Sequence, residues 1–284
     1  MPFQKINNMQ LYVESTGSGE PLVLVHGSWV DHTNWAAVTP MLNQAFRVTT
    51  FDRRGHSQSE TGPGQGSFAE DADDLGALIE QLGLAPAHVL GNSGGAAIAL
   101  RLAGRRPELF RSLAAHEPPL MGLLQGRPEF QPMLDGFSQR IQAVVERLQA
   151  GDHRGAAQRF VDTVAFGPGA WDSLPEPMRE TFVRNAPTFL DELSDPEGLT
   201  IDLTSLRRFD KPALVTTGTE SAPFFKPIAE SVAQALPLST LRVFEGAGHV
   251  PHVTHPDLYV DVVRQFCLQA GSARRVGTAV DAST

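Results

Sequence analysis

Short runs of four to six residues dominated by Val, Leu, Ile and Ala recur along the chain, separated by longer stretches whose apolar residues return every three or four positions. A continuous apolar run suits a strand covered on both faces, and a period near 3.6 suits a helix with one covered face. Strands are predicted near Lys5 and over Leu11–Ser15, Leu22–Val25, Val48–Phe51, His88–Leu90, Ser112–Ala115, Ala213–Thr217 and Leu241–Phe244. Helices are predicted over Trp35–Ala45, Phe68–Leu82, Gly94–Arg105, Phe225–Ala235 and Asp257–Gln269. Their alternation is that of a mostly parallel sheet with helices on both faces, entered through a hairpin at Asn7-Asn8.

Local chemistry agrees with the periodicity. Ser67 before Phe68, with Glu70 at the third helical position, forms a capping box, and Gly83 supplies the stop at the other end. The strand-helix rhythm breaks at Pro118. From there to Leu206 no strand is legible, while Phe137–Gln149 and His153–Val164 read as helices between Pro and Gly punctuation such as Gly167-Pro168-Gly169. The rhythm resumes at Pro212. The chain is therefore expected to hold one core, residues 1–117 and 207–270, interrupted by a helical cap over 118–206, with a disordered tail over 271–284.

Composition narrows the function more than the fold. The 284 residues, 41% of them hydrophobic, can bury a sizeable core, which excludes a chain disordered throughout. An excess of 32 acidic over 23 basic residues, with Arg105-Arg106, Arg207-Arg208 and Arg274-Arg275 as the densest basic patches, argues against nucleic acid and against polyanionic substrates. The single cysteine, Cys267, cannot form an intrachain disulfide, and no Cys/His spacing suggests a metal site. No secretory signal and no apolar stretch of membrane-spanning length is evident, so a cytoplasmic location with no membrane partner is expected. Composition says nothing of oligomeric state.

Gly91-Asn92-Ser93-Gly94-Gly95 follows an apolar strand and opens a helix. A G-x-S-x-G in that context makes a sharp turn that lifts the serine hydroxyl above the sheet edge, its small neighbours allowing close backbone approach. By itself the pentapeptide also fits a helix-capping serine after a glycine turn. Four further landmarks occur around it: His26-Gly27 after the third strand, Asp52-Arg53-Arg54-Gly55-His56-Ser57 after the fourth, Gly218 after the penultimate strand and Gly246-Ala247-Gly248-His249 after the last. In this order they resemble the α/β-hydrolase family, from the first hairpin to the last helix. The resemblance implies an eight-stranded, mostly parallel α/β-hydrolase sheet flanked by helices, with the helical cap inserted.

The same resemblance implies roles. A serine hydroxyl needs a base titrating near neutrality, and His249 stands where the family carries its histidine. His252 and His255 read instead as parts of the loop, His26 and His56 as structural. Backbone N–H groups of Ser28 and Gly94 correspond to the family's oxyanion donors, each worth on the order of 3 kcal/mol of barrier. The acid is ambiguous. Where most members place an aspartate, three residues beyond Gly218, this chain has Ser221, with Glu220 one residue early. Some members take the acid from the end of the strand after the nucleophile helix, which here is Glu117, in Ala114-Ala115-His116-Glu117-Pro118-Pro119. Glu117 is preferred because a carboxylate ending an apolar strand needs a partner, and Glu220 is the alternative. His116 is expected to point elsewhere by strand alternation.

An aspartate replaces Ser93 in the family's dehalogenases and epoxide hydrolases, so those activities are disfavoured. The implied chemistry is serine hydrolysis of a small apolar or aromatic ester or lactone, without cofactor or metal. Cleavage of a carbon–carbon bond in a β-diketone-like substrate, cofactor-free oxygenation and ligand reception on the same fold are the alternatives. Asn92 resembles the carbon–carbon hydrolases, whereas Val250 stands where they often carry an aromatic. Trp29, Asn92, Phe224, Phe225 and Val250 are the pocket candidates from core loops. Among Leu120, Met121, Leu124, Phe130, Met133, Phe137, Phe160, Phe166, Trp171 and Phe189, only a minority are expected to line the pocket.

Overall fold

Eight strands join in one sheet, in the order β1-β2-β4-β3-β5-β6-β7-β8, in a computed structural model that describes residues 2–62 and 66–278. They are β1 (Phe3–Ile6), β2 (Met9–Thr16), β3 (Glu20–Val25), β4 (Phe46–Phe51), β5 (Ala87–Asn92), β6 (Phe110–His116), β7 (Ala213–Gly218) and β8 (Ser239–Phe244). The predicted hairpin joins β1 to β2, with Asn7 and Asn8 both at positive φ, 45° and 66°. Asparagine tolerates that left-handed region better than most residues, and two such residues match the twist of the flanking strands. β2 runs antiparallel to β4, and every later pairing is parallel.

Alternation along the buried strands divides the core into two layers. Val23 and Val25 of β3, Val89 of β5 and Val215 of β7 face the helices Phe68–Gln81, Gly94–Arg105 and Phe225–Ala235. Leu22, Leu24, Leu90 and Leu214 face the opposite way, onto Trp35, Leu42, Val260, Val263 and Cys267. Burial on both faces is why these strands read as unbroken apolar runs.

The registers set the site. Val25 pairs with Gly91, Asn92 with His116, His116 with Thr216, and Gly218 with Phe244. Five strands thus end along one edge, and the segments that follow them emerge side by side.

Two helix boundaries differ from expectation. The predicted Trp35–Ala45 helix is a tight turn, His32–Trp35, followed by a separate short helix, Thr39–Leu42. Pro40 lacks an N–H and fits only a first helical turn, so the helix restarts there. The last helix runs Pro256–Thr278, so the part of the expected disordered tail up to Thr278 is helical, and residues 279–284 lie outside those described. Ala270 and Gly271 are still buried, the latter close against the Glu20 carboxylate, which extends the packed face beyond Gln269. Ser67 caps the helix as expected, its hydroxyl accepting from the Glu70 N–H at 3.1 Å, while the Glu70 carboxylate accepts from that hydroxyl at 3.4 Å rather than from the Ser67 N–H that would complete the box.

Between β6 and β7 the described residues form helices and turns without a strand, among them Gln131–Gln149, His153–Phe160, Glu176–Asn185 and Thr188–Ser194. The insertion has an apolar centre of Val144, Leu148, Val161, Trp171, Phe182 and Phe189, into which Trp29 projects from the loop after β3. No helix of the described residues is long and apolar enough to cross a membrane.

Candidate active site

Ser93 sits between β5 and the Gly94–Arg105 helix at φ 55°, ψ −124°, a strained backbone for a residue with a Cβ. Its glycine neighbours are a steric requirement. A Cβ on Gly91 would stand 2.4 Å from the Gly95 carbonyl oxygen, and one on Gly95 would stand 2.1 Å from that of Val25. The elbow is therefore pressed between β3 and its own helix. Gly94 is the first helical residue, so its N–H has no acceptor within the helix. The Ser28 hydroxyl lies beside it, 3.0 Å from where a Gly94 Cβ would be.

His249 follows β8 and lines the same cavity as Ser93, with no hydrogen bond between the two among the described residues. Catalytic bonds of this kind often tighten only when substrate is bound. Its Nδ1 is 2.7 Å from Glu117 Oε2, its backbone carbonyl accepts from Asn92 Nδ2 at 2.9 Å, and Phe225 stacks on the imidazole at 4.6 Å and 16°. Tautomer, main chain and ring plane each have a separate restraint.

Glu117 is buried, at the tip of β6 with φ 47°. Its Oε1 accepts from the Gly218 N–H and the Thr217 hydroxyl, both at 2.8 Å. Burial raises its pKa, but the His249 hydrogen bond and the charges of His116 and His249 outweigh it, holding the carboxyl down at about 2. Glu220 stands exposed at the cavity rim and makes no hydrogen bond to the imidazole among the described residues. His116 departs from the expected direction: its Nε2 lies 3.6 Å from Glu117 Oε2 while its Nδ1 meets the Thr216 hydroxyl at 2.9 Å. Alternation holds only in extended backbone, and the positive φ of Glu117 turns its carboxylate back toward its neighbour. Burial lowers the pKa of His116 to about 4, so it is neutral near pH 7 and carries a charge only in the acid range where Glu117 titrates.

The cavity has a volume of about 760 Å³. Asn92, Phe224, Phe225 and Val250 line it, together with Met121, Phe137, Phe160, Phe166 and Phe189, which are half of the ten apolar residues named from the insertion. Leu120 and Leu124 instead join the main core. Trp29 is not in the cavity wall. Its positive φ, 70°, swings the indole into the insertion, where it is fully buried and stacks on Phe160 at 4.6 Å. Among the described residues, two groups bring three possible metal-ligand atoms within 4.8 Å of one another, His116/Glu117/His249 and Asp31/His32/Asp52. In each a hydrogen bond joins one pair, His249 to Glu117 and His32 to Asp52, while Asp31 accepts separately from the Thr33 N–H and the Ser57 hydroxyl.

The family model for the alpha/beta hydrolase fold matches residues 20–256. The chain belongs to the α/β-hydrolase fold family. It is 28% identical over 265 residues to a pimeloyl-(acyl-carrier protein) methyl ester esterase of Aeromonas salmonicida, covering 91% of this chain and 99% of that one. An α/β hydrolase from Sphaerobacter thermophilus superimposes with a TM-score of 0.76 at 25% identity, over 93% of this chain and 99% of the other. An enol-lactonase from Burkholderia xenovorans LB400 shares the fold, with a TM-score of 0.75 at 21% identity over 93% and 99% of the two chains.

In this α/β hydrolase the insertion is tied to the core by buried polar residues. The buried Arg53 Nη2 binds Asp71 at 2.6 Å and Glu192 of the insertion at 2.8 Å, and Nη1 donates to the Gly27 carbonyl. Burial opposes the charge of Arg53, but the two carboxylates outweigh it and raise its pKa. Sharing one guanidinium, both carboxyls are themselves pushed up by burial. Asn185 is equally buried: its amide NH₂ donates to the Val30 carbonyl at 3.0 Å, and its oxygen accepts from the Ser57 N–H at 2.8 Å. Arg53 lies in one of the landmarks after β4, but its partner in the insertion, Glu192, is 139 residues away and leaves no local signal.

Proposed function

We propose that this chain is a serine hydrolase that cleaves a carboxylic ester or lactone through an acyl-enzyme on Ser93. The observation that carries the reading is the 2.7 Å contact of His249 with a buried carboxylate, opening on a cavity shared with a serine held at a strained elbow. Glu117 fixes the proton on Nδ1 and leaves Nε2 as the acceptor. His249 then takes the Ser93 proton as Oγ attacks the carbonyl, and the N–H groups of Ser28 and Gly94 receive the developing oxyanion. The imidazolium returns the proton to the departing alkoxide. A water, deprotonated by His249, releases the acid and restores Ser93.

The aromatic wall supports an apolar acyl or alcohol group, and the esterase relative supports ester over carbon–carbon cleavage. The insertion acts as a cap over the site. Incubation with an aryl acetate and a serine-directed phosphonate tests the reading: turnover and stoichiometric labelling of Ser93 are expected. Absence of both overturns it, and oxygen consumption with a candidate substrate would favour the oxygenase alternative.

A further inference from the structure

Among the described residues, the cavity wall holds one guanidinium, that of Arg140, one turn beyond Phe137 on the Gln131–Gln149 helix. The carboxyl groups of the wall are those of Glu192, already bound to Arg53, and of Glu220 at the exposed rim. Arg140 has no hydrogen bond or ion pair with any described residue, and its Nε is buried without an acceptor. Arg101, Arg111 and Arg179 also bury an unpaired nitrogen, but each binds an oxygen through another one. The two terminal nitrogens stay accessible to solvent, so the guanidinium can offer them, together with the unpaired Nε–H, to an anion that enters the cavity.

The ligand chemistry follows from number and shape. A single guanidinium matches a single negative charge, and its planar fork fits a carboxylate in two parallel hydrogen bonds. A phosphate dianion would need a second cation, and this wall offers carboxylates instead. Spacing is set by an aromatic run: Phe137 meets Phe224 at 5.6 Å, Phe224 meets Phe225 at 4.5 Å, and Phe225 stacks on His249. A substrate reaching from Ser93 to Arg140 must therefore carry an apolar segment between its two ends.

We propose that Arg140 binds a free carboxylate at the far end of the acyl chain, making the preferred substrates monoesters of α,ω-dicarboxylic acids. Hydrolysis consumes one water and releases an alcohol and the diacid. The inference rests on the ester-hydrolase reading and narrows its substrate class.

The test compares 4-nitrophenyl monoesters of C6 to C10 diacids with 4-nitrophenyl esters of the same chain length ending in methyl. Wild-type kcat/KM is expected to favour the acid-bearing ester by about ten-fold or more at one chain length. The ratio should fall to near one in Arg140→Gln and recover in part in Arg140→Lys, with thermal melting confirming that both fold. A parallel arm measures calorimetric binding of the corresponding diacid monoamides and neutral amides to Ser93→Ala. Hydrolysis of both ester series without preference, or a preference that survives Arg140→Gln, overturns the carboxylate site and leaves the hydrolase standing. Selective, Arg140-dependent amide binding without ester turnover upholds the site and sinks the hydrolase reading instead.

Discussion

The sheet edge and the insertion contribute different things to one cavity. Ser93, Glu117 and His249 follow β5, β6 and β8 at one edge of the parallel sheet, with β7 between the last two, so register holds them in order, and two of the three sit at positive φ. The insertion supplies most of the aromatic wall and, in Arg140, its one guanidinium among the described residues, but none of the proposed reacting atoms. Strain is tolerated at the edge because a two-layer core fixes the strands beneath it. The insertion has its own smaller centre and is tied down by a few buried polar contacts. Chemistry is thereby separated from shape, so substitutions in the two regions should fail in different ways.

The sharpest break is expected at the edge. Ser93→Ala should remove ester turnover by at least about 10⁴-fold while the melting temperature stays unchanged, since only a hydroxyl is lost. Glu117→Gln should lower kcat by about 10⁴-fold with the cavity intact, because the imidazole loses the partner that sets its tautomer. Glu220→Gln should change kcat less than about three-fold. Steady-state kinetics on one aryl ester decides this, and a dead Glu220→Gln beside an active Glu117→Gln would transfer the acid to the rim.

In the insertion the loss should appear as stability. Glu192→Gln leaves Arg53 with one buried carboxylate fewer and should cost about 3 kcal/mol in denaturant unfolding. Trp29→Ala should cost about 3–5 kcal/mol by emptying the insertion's aromatic centre. Changes under 0.5 kcal/mol for both would mean that the insertion is held by other contacts.

A smaller effect separates the regions by pH. His26 and His116, both buried in the core, are held at about 4 against an ordinary value of 6.5, chiefly by burial. Between pH 6.5 and 4 the unfolded chain binds protons that the native protein refuses, so stability falls as pH drops through that window, by about 3 kcal/mol per imidazole at most. Glu117 acts lower: its contribution is full above about 4.5 and is lost as pH falls toward 2. Melting temperatures at pH 7, 5.5 and 4 check the first window, and His116→Gln should make the fall shallower while the His26 contribution remains.

Much of the edge was legible because its signals are local. The glycines around Ser93, the sequence after β8 and the prolines behind Glu117 act through near neighbours and the adjacent strand, so their spacing carries the information. The directions of Trp29 and His116 carry no such local signal, because a single positive φ reverses the first and alternation stops where the strand turns at the second. The Trp35–Ala45 helix failed on Pro40, whose missing N–H outweighed the apolar period.

The sequence by itself determined the strand order of chemistry: an apolar run, a glycine-flanked serine, a carboxylate at the next strand's end and a histidine after the last strand. Those are short-range patterns, repeated by every strand that must be buried on both faces. Only the tertiary structure decided that Glu117 rather than Glu220 meets the imidazole, that Asn92 and Phe225 hold it, that Arg53 and Asn185 tie the insertion down, and that Arg140 stands unpaired in the cavity. Each of these joins residues far apart in the chain, and the cost of burying a polar group is settled by whichever partner packing brings within about 3 Å.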